Sequence, residues 1–243
     1  MRKRPAPLSN ALLTTASTAT SLPFRENRFL HWICVGAVIA FALAAYHPDK
    51  VFDWALENAL VFAFLVVFAV TYPKFAFSDL SYLLMLVYLC IHEFGAHYKY
   101  SDVPLGEWLK PILHTTRNHY DRISHFSFGL LSAYPLREIA IRSLRVRGRW
   151  RYYLPVEAVL AMSSIYEMME AYMATILSPE RGEEFVGMQG DMWDSQEDMF
   201  VAGLGALAGV LIIWLVVRKR SARAALREAE HVALAGSSHT ESR

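Results

Sequence analysis

The sequence predicts an all-α polytopic membrane protein, a six-helix transmembrane bundle with both termini cytoplasmic. Three observations lead there. Of 243 residues, 54% are hydrophobic and only 19% charged, and the mean hydropathy is +0.24, too apolar for a soluble domain of this length. Six stretches, at 29–46, 54–72, 78–97, 123–142, 153–177 and 198–217, are each apolar over the about 17–25 residues that a hydrocarbon core demands. The basic residues gather on one side of the membrane if all six stretches cross it.

Taken in order, residues 1–28 are rich in Ser, Thr, Ala and Pro and lack the continuous apolar run of a secretory signal, so they read as a disordered basic cytoplasmic tail. Residues 29–217 form the six-span domain. Residues 218–243, "RKRSARAALREAEHVALAGSSHTESR", read as a basic cytoplasmic tail that forms a short helix on the membrane surface. Orientation follows from Arg2, Lys3, Arg4, Arg25 and Arg28 at the start, Arg145, Arg147, Arg149 and Arg151 between the fourth and fifth spans, and Arg218, Lys219 and Arg220 after the sixth. These mark the cytoplasmic side, which leaves the 47–53, 98–122 and 178–197 connections outside. Lys99, Lys110, Arg117 and Arg122 in the second external connection run against that pattern and suggest a bound anion. The net charge of +1 hides this segregation and gives no reason to expect a nucleic-acid partner. Cys34 and Cys90 lie inside apolar runs, where a thiol behaves as a small hydrophobe, so no disulfide framework is indicated. "GALAG" at 205–209 is a small-xxx-small pair that lets the sixth helix approach a neighbour closely.

Ionisable residues inside spans are costly and point to a protein interior. With the direction above, four helices deliver such residues to the outer face. The third ends in "IHEFGAH", with His92, Glu93 and His97; His92 and His97 are five apart, so this is not the H-E-x-x-H zinc helix. The fourth begins "NHYDRISHF", with Asp121 and His125 at i,i+4. The fifth carries Glu167 and Glu170 in "SSIYEMMEAY", and the sixth begins "GDMWDSQEDM", with Asp191, Asp194 and Asp198 along one stripe. Imidazole and carboxylate from facing helices build metal sites in bundles, and this donor set suits zinc, iron or manganese. The candidate ligands are His92, Asp121, His125, Glu167, Asp194 and Asp198; Glu167 and Glu170 are the candidate catalytic carboxylates; Lys99, Arg117 and Arg122 are the candidate contacts for an anionic substrate. Structural roles compete: Asp191 and Asp194 suit a helix cap, His97 and His119 suit solvated loops, and Tyr98, Tyr100, Trp108 and Trp193 suit an outer aromatic belt. Glu57 and Asn58 have no evident partner, and Glu138 sits beside Arg137.

The motifs "HEFGAHYKYSDVPLGEWL", "RNHYDRISHFSFGLLSAYPLRE", "SSIYEMMEA" and "GDMWDSQEDMFVAGLGA" resemble the bacterial YjdF-like inner-membrane proteins, an uncharacterised multi-span family. The resemblance covers roughly 30–217 and implies a place in the bacterial inner membrane, with no catalytic assignment. Two functions stay open. One is a metal-dependent hydrolase or transferase acting at the outer leaflet on a lipid or lipid-linked phosphate. The other is a non-enzymatic transporter or sensor using the His and carboxylate cluster as an ion or proton site. Against a di-iron oxidase stands the missing pair of Glu-x-x-His motifs. The substrate and the oligomeric state are not legible.

Overall fold

The computed structural model describes residues 23–177, 182 and 185–240, with residues 228–240 described by their backbone. Among them are seven α-helices and no strand: α1 Arg28–Ala44, α2 Val51–Thr71, α3 Asp79–His97, α4 Pro104–Leu113, α5 Tyr120–Arg142, α6 Trp150–Ile176 and α7 Asp194–Thr240. Each apolar stretch of the sequence falls on a helix. Val51–Thr71, Asp79–His97 and the Asp194–Arg227 part of α7 are long and apolar enough to cross a membrane, and α1 is a shorter apolar helix. Helices α5 and α6 are long but more polar, because they carry many of the ionisable side chains described below.

Two expectations change. The 98–122 connection holds the extra helix α4, which starts with Pro104 in its first turn and ends at His114 in the left-handed region, φ 52°. Residues 218–240 prolong α7 without a break, in place of a separate short surface helix. The tail residues 1–22 and residues 241–243 lie outside the described residues.

Helix α5 is central, packed by α7, α6 and α3; α1 lies on α3, and α2 makes a lighter contact with α3. Val35, Val38, Ile39 and Leu43 form an exposed stripe on α1, and Phe62, Val66 and Val70 one on α2, as lipid-facing surfaces require. The α5–α7 contact is made backbone to backbone. A Cβ on Gly129 would run into the Ala202 carbonyl, one on Gly205 into the Phe126 carbonyl, and one on Gly209 would stand 2.6 Å from the Leu130 carbonyl. The small residues of "GALAG" therefore serve packing, and Ala202 and Ala206 are fully buried beside them.

The end of the bundle away from the acidic residues is tied by Glu138. Its carboxylate accepts from the Ser78 amide at 2.9 Å, from Ser78 Oγ at 3.0 Å and from Ser81 Oγ at 2.5 Å, capping α3 where the helix dipole favours a negative charge. Its cation is Arg142, one turn on, rather than the adjacent Arg137; Arg142 also donates to the Ala76 carbonyl and lies 4.5 Å from the Phe75 ring centroid.

Gly129→Ala is expected to destabilise the protein by at least about 1–3 kcal/mol, since the obstacle is backbone. Gly36→Ala, which meets only the flexible end of Leu86, should be nearly neutral. Thermal unfolding in detergent micelles checks the contrast.

Candidate functional site

Five elements bring polar side chains to one end of the bundle: the start of α2, the end of α3, the start of α5, the last third of α6 and the start of α7. The contacts between α5 and α7 run in parallel. Gly129 meets Ala202; one turn earlier in both helices His125 and Asp198 come together, and one turn earlier again Asp121 and Asp194. The backbone approach thus determines which ionisable groups meet.

At the middle of this ladder, Asp121, His125 and Asp198 each offer a ligand atom, and the three atoms lie within 4.8 Å of one another. His125 Nε2 stands 3.2 Å from Glu167 Oε1 and 3.6 Å from Asp121 Oδ1, while His125 Nδ1 lies 3.4 Å from Ser163 Oγ. Asp198 is 1% exposed, Glu167 5% and His125 8%, and Asp198 Oδ1 has no hydrogen-bond partner. A buried, orphaned carboxylate oxygen beside an imidazole and a second carboxylate is the donor set a divalent cation completes.

The other expected ligands are placed differently. His92 does not join this group: α5 stands between α3 and α7, and His92 Nδ1 is hydrogen-bonded to the Tyr100 hydroxyl at 2.7 Å. Tyr100, expected in an aromatic belt, turns inward instead. Asp194 is shared by Arg117 and Arg122, Asp191 is 2.9 Å from Arg122, and Glu197 also pairs with Arg122. Arg117 donates further to the Met188 carbonyl at 2.7 Å. The guanidiniums expected to meet an anionic substrate are thus engaged by the entry to α7. Lys99 lies 3.5 Å from Asp102. His97 Nδ1 bonds the Ala44 carbonyl, and the His97 carbonyl accepts from the Asp49 amide, which pins the C-terminal end of α3 to the α1–α2 turn.

Groups outside the helical spans respond to this setting. The Trp193 amide and then the two arginines hold the Asp191 carboxyl below its usual range. Burial, with Arg122 and Arg117 nearby, lowers the His119 imidazole. Asn118, fully buried, organises the 98–122 segment: it donates to the Val103 carbonyl and to Glu107, accepts from the Tyr120 amide, and exchanges backbone bonds with the Gln189 side chain. Glycine at 106 is required because a Cβ there would overlap the Asn118 amide. The Glu107 carboxyl is held below its usual range by Lys110 and then Asn118.

A second group went unseen in the sequence. Glu57, buried on α2, accepts from the Tyr166 hydroxyl at 2.6 Å, and Glu93, 2% exposed, lies against Asn58 and Trp54. Glu57, Lys99, Tyr100, Asp121, Glu170 and Gln189 line a small cavity of about 20 Å³ that opens to the surface. Asp121 belongs to both groups. Glu170 therefore faces the cavity, one turn from Glu167, which faces His125. The signal in the sequence was the carboxylate Glu57 within an apolar run; its partner sits on a distant helix.

A family model described as a predicted membrane protein, DUF2238, matches residues 29–220. The chain belongs to this family. It is 36% identical over 166 residues to the inner membrane protein YjdF of Escherichia coli strain K12, covering 68% of this chain and 78% of that one. No solved structure matches it. The DUF2238 match spans every residue of both polar groups, and the protein is an inner-membrane protein.

Removing Asp194 leaves the nearly buried Arg117 with the Met188 carbonyl and only a distant carboxylate, Asp191 at 4.0 Å, so Asp194→Ala is expected to cost about 3 kcal/mol. Glu197→Ala, on a half-exposed carboxylate, should cost about 0–1 kcal/mol. Unfolding midpoints of the two variants in one detergent check this order.

Proposed function

We propose that this protein is a six-span inner-membrane metalloenzyme with both termini cytoplasmic, whose Asp121, His125 and Asp198 bind a divalent transition metal, zinc, iron or manganese, near the outer face. The observation that carries the reading is the convergence of those three ligand atoms with Asp198 Oδ1 buried and unpartnered. The reaction class is a hydrolase or transferase step on a lipid or lipid-linked phosphate. Such a metal supplies Lewis-acid polarisation, or a bound water whose pKa falls to about 7.

The chain's own residues support the rest. Glu167 Oε1, beside His125 Nε2, is the group set to take or return a proton. Ser163 at Nδ1 leaves Nε2 directed at the carboxylates. Asp121 and Lys99 both line the small cavity beside this cluster, which marks the side from which a substrate headgroup would approach. Arg117 and Arg122 act on Asp194, one turn before Asp198, and so orient the entry to α7.

A transport or sensing role has its own supporting observation, the buried Glu57–Tyr166 and Tyr100–His92 hydrogen bonds, which offer successive sites for a proton. The two readings part on the metal.

Elemental analysis of protein purified without chelators is expected to find a transition metal near one equivalent in the wild type and much less in His125→Ala and Asp198→Asn. His92→Ala should retain it. A folded, monodisperse wild type with no metal overturns the metalloenzyme and leaves the proton site. Reporter fusions truncated at Gly106 and Gly148 should behave as exported and cytoplasmic respectively; the reverse overturns the topology.

A further inference from the structure

At the end of the bundle opposite Asp121, two guanidiniums share one ring. Arg137 of α5 lies 5.1 Å and Arg151 of α6 5.0 Å from the centroid of Tyr152. Each is half-buried, each Nε is buried without a hydrogen-bond partner, and each feels the other's charge. No carboxylate among the described residues pairs with either. Glu138, next to Arg137, is committed to Ser78, Ser81 and Arg142, and Glu157 interacts with Tyr153. Two like charges drawn together at the edge of an apolar span, with their natural acidic neighbours occupied elsewhere, lack a counter-ion.

We infer that Arg137 and Arg151, gathered at Tyr152, bind the phosphate of an anionic phospholipid. Guanidinium forks match phosphate oxygens with paired charge-assisted hydrogen bonds, and the shared Tyr152 ring keeps the two groups side by side. The depth is that of a headgroup. Arg137 is about 26 Å along α5 from Tyr120 at 1.5 Å per residue, close to the thickness of a hydrocarbon core. Trp150 and Tyr153, both exposed and in edge contact at 5.5 Å, are the interfacial aromatics beside it. Exposed Arg145, Arg147 and Arg149 in the adjoining turn add a field that attracts acidic lipid but lack an enclosing wall. Assignment to the inner leaflet rests on the topology proposed above; the phosphate chemistry does not.

The test uses the full chain in a neutral detergent, titrated with short-chain phosphatidylglycerol, phosphatidylcholine or inorganic phosphate, with bound adducts read by native mass spectrometry. Wild type is expected to prefer phosphatidylglycerol. Arg137→Gln and Arg151→Gln should each lower its affinity about tenfold, as loss of one charge-assisted contact implies, while Arg145→Gln leaves it within twofold. Arg151→Lys, which keeps the charge and loses the fork, should fall between. Displacement of the lipid by millimolar phosphate would keep the phosphate site and make a free anion its occupant. Equal binding of the two lipids by wild type, or an equal loss in Arg145→Gln, overturns the proposal even if a substituted variant fails to fold. None of these readouts depends on metal content or sidedness, so failure here is distinct from failure of the proposed function.

Discussion

The candidate site depends on how closely α5 and α7 approach. Gly129, Gly205 and Gly209 let backbone meet backbone, and since the two helices run parallel, the same register brings His125 to Asp198 and Asp121 to Asp194. A larger residue at the crossing would separate the ladder by the width of a side chain. That is enough to part Asp121, His125 and Asp198, whose polar atoms now lie within 4.8 Å of one another. Small residues in a membrane helix gain van der Waals contact without a hydrophobic driving force; in this protein they also position chemistry.

Electrostatics explains the remainder of that end. An isolated carboxylate at the centre of a membrane helix costs about 2.5–3.5 kcal/mol on insertion scales, so each one here has to be met. Asp194 is met by two arginines, Glu57 by a tyrosine hydroxyl, and Glu138 at the far end by a helix N-terminus and Arg142. Asp198 keeps a buried oxygen without a hydrogen-bond partner, as do Glu167 and Glu93 at the same end. The arginines of the 98–122 segment thereby belong to the scaffold that holds the entry to α7. At the other end, Arg137 and Arg151 have the opposite deficit, cations without acids.

Helical spacing made much of this legible. Asp121 with His125, and Asp194 with Asp198, were readable as single stripes, and the common sidedness of four helix ends followed from the arginine pattern. Spacing fixes a face and says nothing about which helix that face meets. His92 shares the sidedness of His125, yet α5 intervenes and Tyr100 takes its ring nitrogen. Glu57 and Tyr166 are 109 positions apart, and Glu138 bonds Ser78 across 60; no local pattern encodes such pairs. Helix α4 was hidden because ten residues with two internal polar charges read as a loop beside spans of twice the length.

X-ray absorption at the metal edge of the loaded protein tests the central claim most directly. The account predicts a first shell of one imidazole nitrogen with carboxylate oxygens, the imidazole signal disappearing in His125→Ala and persisting in His92→Ala. A shell of water oxygens alone, or an imidazole signal that follows His92, would contradict it.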